Sequence, residues 1–90
     1  MAKLKRSIAR NIVTEAFALH MPMTVDQIQE PQFIENIDLR EKEQIHERIV
    51  GELKWLGFRT AYSFPEFSQA RTVGEVIDVV VSLTESGGPD

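Results

Sequence analysis

Leu4, Ile8, Ile12 and Leu19 recur at spacings near four, which puts them on one face of a helix predicted from Lys3 to about Ala18. Ala9, Val13, Ala16 and Phe17 add a second apolar side. This helix is therefore either enclosed by neighbours or carries a stripe for a partner, a homodimer through this first helix included. Leu19-His20-Met21-Pro22 ends it, because proline disfavours helical geometry at the residue before it and has no amide proton. Thr24-Val25-Asp26-Gln27 then reads as a capping box that opens a short second helix, about Val25 to Glu30. Pro31 stops that helix, and Phe33, Ile34 and Ile37 are available to anchor the connector that follows.

Asp38-Leu39-Arg40-Glu41 is a second cap, with acidic Glu41 and Glu43 where the helix dipole favours negative charge. It begins a third helix, about Leu39 to Leu56, whose Ile45, Ile49, Leu53 and Leu56 fall in one narrow arc, and Gly57 supplies the stop. Beyond it the pattern changes. Phe58 to Phe64 alternates bulky and polar groups as a half-buried strand does, and Pro65 to Gly74 is a polar loop. Val76 to Leu83 is dense in β-branched residues, which predicts a second strand with Ile77, Val79, Val81 and Leu83 inward. Thr72-Val73-Gly74-Glu75, however, is itself a capping box and supports a competing fourth helix through Leu83. The expected organisation is a single domain over 1–83 followed by a tail over 84–90.

Composition narrows the function classes. The chain has 90 residues, with ten Lys plus Arg against fourteen Asp plus Glu, for a formal charge of -4. That is one small domain with no overall positive field to draw it to phosphate, so any nucleic-acid contact must be local. The lack of cysteine excludes disulfides, thiol catalysis and thiolate metal sites, and it fits a reducing cytoplasm. Two distant histidines, His20 and His46, make no metal cluster, and no apolar run approaches the ~20 residues of a membrane span. Neither phosphate-cradling glycine loops nor paired catalytic carboxylates are recognisable, so the expectation is no enzyme, no cofactor and no metal.

The order helix, short capped helix, longer helix, strand, loop, strand is that of an α+β winged helix-turn-helix with three helices and a two- to three-stranded wing. Met23 to Ile28 looks like the start of the helix-turn-helix, and Glu47 to Arg59 looks like a recognition helix running into a wing. The latter stretch resembles a pattern near the end of virulence-associated protein E-type phage and plasmid primase-helicases. Val79 to Gly87 is similar to the last wing strand of MarR-type regulators. No primase or ATPase motif is present, so the resemblance implies a detached recognition module. A second similarity is to acyl carrier proteins. Phe33 to Ile37 resembles the segment before the carrier serine, and Thr72 to Asp78 the opening of the last helix. Where the Asp-Ser-Leu attachment motif should stand the chain reads Arg40-Glu41-Lys42-Glu43, so this resemblance implies an all-α four-helix bundle carrying no phosphopantetheine.

On the winged-helix reading, the third helix presents Arg40, Gln44 and Arg48 as an outward row at i, i+4, i+8 toward double-stranded DNA. Arg59 and Arg71 flank the wing as phosphate contacts, and Lys3, Lys5, Arg6 and Arg10 form a basic cluster at the start of the first helix that serves as an arm. Glu43 and Glu47 lie beside the row and oppose phosphate. The bland alternative is a solvated, ion-paired helix face. Trp55 is expected at the edge of the core arc, with Tyr62, Phe64 and Phe67 beyond. This aromatic patch either closes the small core or stacks on bases or buries in a partner, and His46 is expected as a packed or half-exposed residue. A non-enzymatic DNA-binding module is the leading expectation, with a protein-interaction domain as the alternative.

Overall fold

The computed structural model describes residues 4–85. In chain order it contains α1 (Arg6–Ala18), a single 3-10 turn (Val25–Gln27), α2 (Leu39–Trp55), β1 (Arg59–Thr60), α3 (Phe64–Gln69), α4 (Val73–Leu83) and β2 (Thr84–Glu85). The chain is mostly helical. Lys3, and residues 86–90 of the expected tail, lie outside the described residues.

The largest correction concerns Val76 to Leu83, which coils into α4 instead of extending into a strand. Two forces, a local cap and burial against α1, outweigh the β-branched preference. The capping box closes at both ends: Thr72 Oγ1 accepts from Glu75 N at 3.2 Å, and the Glu75 carboxylate accepts from Thr72 N at 3.1 Å. Val73, Val76, Ile77 and Val80 then fall on one helical face and are fully buried. A valine in a helix forgoes well under ~1 kcal/mol of propensity, whereas burying its side chain contributes ~1.5 kcal/mol or more. Of the set expected inward, Ile77 alone is fully buried; Val79, Val81 and Leu83 are partly buried.

The strand pairing expected for a wing is correspondingly small. Among the described residues, an antiparallel ribbon pairs Arg59 with Glu85 and Thr60 with Thr84, and no more. The chain leaves it when Tyr62 N donates back to Thr60 Oγ1 at 3.0 Å, and the expected polar loop instead holds α3, with Pro65 in its first turn. Proline lacks a donor that the first turn leaves unused anyway. The second helix contracts to the 3-10 turn, where Thr24 N donates to Gln27 Oε1 at 3.0 Å.

α1 is also turned relative to expectation. Ala9, Ile12, Val13, Ala16 and Phe17 are the buried side, while Ile8 is 38% and Leu19 59% exposed. The smaller residues lie inward because α4 lies chiefly along α1, and alanines let two helices approach closely. With that face occupied, Ile8 and Leu19 are what remains for the homodimer expected through this helix. Ile45, Ile49 and Leu53 of α2 close the core together with Phe67 of α3, whose ring stacks on Phe17 at 5.9 Å.

The long connection between α1 and α2 is fastened by backbone. Ile34 N donates to Arg71 O at 2.9 Å, Val73 N to Gln32 O at 3.0 Å and Gly74 N to Glu30 O at 2.8 Å. Ile28 and Ile34 fill the core beneath it. At Gly74 the two segments run so close that a Cβ would stand 3.2 Å from the Glu30 carbonyl oxygen.

Candidate functional site on the outer face of α2

Helix α2 is the longest element and its two ends are well defined. Asp38 caps the start, with its side chain accepting from Arg40 N, and Glu41 in the first turn and Lys54 in the last complement the dipole. At the other end Gly57, at φ 88, allows the Phe58 N to Leu53 O bond of 2.9 Å and the Gly57 N to Lys54 O bond of 3.0 Å that tie off the last carbonyls.

With Ile45, Ile49 and Leu53 facing the core, the opposite side carries Arg40, Gln44, Glu47, Arg48, Gly51, Lys54 and Trp55, all exposed. Leu56, expected in the core, is 45% exposed, and Trp55, expected at the edge of the core arc, is 82% exposed. The reason is angular. Trp55 follows Gly51 by four residues, and Gly51 sits at the middle of the solvent side. A Cβ added at Gly51 would meet nothing within 4 Å, so no internal contact requires the missing side chain. Glu47, Arg48, Gly51, Glu52 and Trp55 together line a shallow cleft of about 400 Å³.

The nominated row of Arg40, Gln44 and Arg48 is thus one exposed stripe, as expected. The other nominated residues do not join it as a set. Arg59 belongs to the ribbon and Arg71 to the link before α4, both exposed. Lys5 is the exposed residue that precedes α1. Arg6 is engaged by Glu30 and Asp78, and Arg10 Nε by Glu30 at 3.4 Å, so these two arginines of the expected arm clamp the long connection and α4 to α1.

His46 is half-buried among rings, with centroids 4.9 Å from Tyr62, 5.5 Å from Phe64 and 6.1 Å from Phe67. Its Nδ1 and the Tyr62 hydroxyl are buried without a hydrogen-bond partner among the described residues. Burial pushes His46 below the ordinary histidine value against a weaker upward pull from Glu47 and Glu66, and burial pushes the Tyr62 phenol up. With that nitrogen unbonded and rings on its other sides, the cluster packs α3 onto α2. Among the described residues no group of three or more His, Cys, Asp or Glu converges as a metal site, and no helix is long and apolar enough to cross a membrane.

Gly51 and the exposure of Trp55 are what sequence reasoning misses. The available signal is a helix-interior glycine, costing ~1 kcal/mol against alanine, placed one turn before the sole tryptophan. No protein-family model, curated protein or solved structure matches this chain.

Proposed function

We propose that the chain is a non-enzymatic protein-interaction domain, a carrier-like helical bundle without a prosthetic group, that engages its partner through the outer face of α2. Trp55 carries the reading. Leaving an indole 82% exposed forgoes ~2 kcal/mol or more of burial, and tryptophan and arginine are enriched among the residues that carry protein–protein binding energy. The carrier-like arrangement is supported by a long connection between α1 and α2, a short α3 and a helical 73–83. The prosthetic group is disfavoured by chemistry: no serine or threonine occurs between Thr24 and Thr60, and the start of α2 reads Asp38-Leu39-Arg40. The absence of cysteine fits a cytoplasmic setting.

A second reading, DNA binding of the winged-helix type, is favoured by the exposed Arg40, Gln44 and Arg48 stripe. Glu43, Glu47 and the charge of -4 weigh against it. Titrating isotope-labelled protein with duplex DNA at low salt separates the two. The expected result is no shift change along α2; shifts in α2 and residues 59–71 that vanish steeply with added salt would replace the interaction reading with the DNA one. Incubation with coenzyme A and a phosphopantetheinyl transferase should leave the mass unchanged.

A further inference from the structure

The outer face of α2 is complementary to itself. Around Gly51, the charges divide by side: Arg48 and Glu52 lie on the same flank as Trp55, while Glu47 and Lys54 lie on the other. In two helices related by a two-fold axis and running antiparallel, each flank meets the same flank of its mate with the order of residues reversed. If Gly51 faces Gly51, Arg48 therefore stands opposite Glu52 and Trp55 of the second copy, and Glu47 stands opposite Lys54. Every pairing on both flanks joins opposite charges, or a guanidinium with an indole face. Gly51 at the crossing lets the backbones approach, which explains a residue that no contact within the monomer requires.

We infer that the partner of this face is a second copy of the chain, docked antiparallel along α2 with Arg48 seated on Trp55 and Glu52 of its mate. The inference rests on the interaction reading and names its occupant. None of Glu47, Arg48, Glu52 and Lys54 is held in an ion pair among the described residues, so these charges are available for the contact. A 17-residue helix is about 25 Å long. A single helix-on-helix contact of that length belongs to the small, transient end of the interface range, so the expected dimer is weak.

Trp55 is the sole tryptophan and reports directly. Its emission should shift to the blue as the full chain is concentrated from roughly 10 μM to roughly 1 mM, in step with a rise from monomer to dimer mass by sedimentation. Arg48→Glu and Glu52→Arg, each alone, place like charges opposite one another and should weaken association by at least about tenfold. When the two variants are mixed, each Arg48→Glu chain meets a Glu52→Arg chain with opposite charges at both contacts, so the mixture should recover the blue shift. Gly51→Leu, harmless to the monomer, should also separate the helices. A monomer mass and constant emission throughout overturn the self-pairing while leaving another protein partner for the face. Dimers that survive Arg48→Glu and Gly51→Leu overturn the α2 geometry.

Discussion

His46 gains dispersion contacts with three rings but buries a ring nitrogen with nothing to bond. In the unfolded chain it titrates near 6.5, and in the folded chain below that. Above the unfolded value the ring is neutral in both states and its contribution is complete. As pH falls, the unfolded chain takes up a proton that the folded one resists, so stability declines until the depressed folded value is passed. Denaturant midpoints should therefore drop between about pH 7.5 and about pH 5.5, and His46→Phe should make that drop smaller, with Glu47 and Glu66 unchanged in both proteins. An equal drop in the variant would assign the acid sensitivity elsewhere. Tyr62→Phe tests the neighbouring orphan. Because the hydroxyl is desolvated and unbonded, its removal should raise stability by up to about 1 kcal/mol, measured by urea unfolding; a loss would reveal a bonded partner.

For α4, the distinction between strand and coil reduces to which valines are covered. Val80 is fully buried and Val79 and Val81 only partly so. Val80→Ala should cost about 2 kcal/mol, and Val79→Ala and Val81→Ala less than about 1 kcal/mol each, since alanine also improves helix propensity. A strand would reverse the ranking. Thr72→Ala should cost about 1 kcal/mol by leaving the Glu75 amide without its acceptor, read as a lower melting temperature. The same segment shows where the sequence was legible. Helices α1 and α2, with their stops at Leu19 and Gly57, followed from spacing and local chemistry, and so did the buried Ile45, Ile49 and Leu53. The cap at Thr72 was also readable, but intrinsic preference for strand at Val76 to Leu83 was overruled by a neighbour, α1, that no local window contains. α3 was hidden for a similar reason: six residues are too few for periodicity, and Phe67 is helical because it stacks on Phe17, fifty residues away in the chain. The outer face of α2 was half legible, since its arginine row follows from spacing, whereas the exposure of Trp55 depends on which angular sector the other helices leave uncovered.

Over the whole molecule, the connection from Leu19 to Asp38 is held against α1 and α4 by two kinds of contact, and their weights differ. Arg6, bonded to Glu30 and Asp78, has a side chain 45% exposed and faces water and salt. Pairs in that setting contribute ~0–1 kcal/mol and are screened by salt. The backbone bonds at Gln32, Ile34 and Gly74 are of the other kind, because losing them strands amides and carbonyls and releases Ile28 and Ile34 from the core. Arg6→Met should therefore lower stability by under about 1 kcal/mol, with the difference from the parent shrinking as salt is raised. Gly74→Val drives three methyl-sized carbons toward the Glu30 carbonyl, where a single Cβ already stands 3.2 Å away, and should cost about 1–3 kcal/mol at any ionic strength. Amide exchange gives the spatial signature: Gly74→Val should speed exchange at Ile34 and Val73 well before that of Ile49 and Leu53, whereas Arg6→Met should leave all four nearly unchanged. If Arg6→Met instead opens Ile34 and Val73 as strongly as Gly74→Val does, the charged clamp and not the backbone fastens the connection.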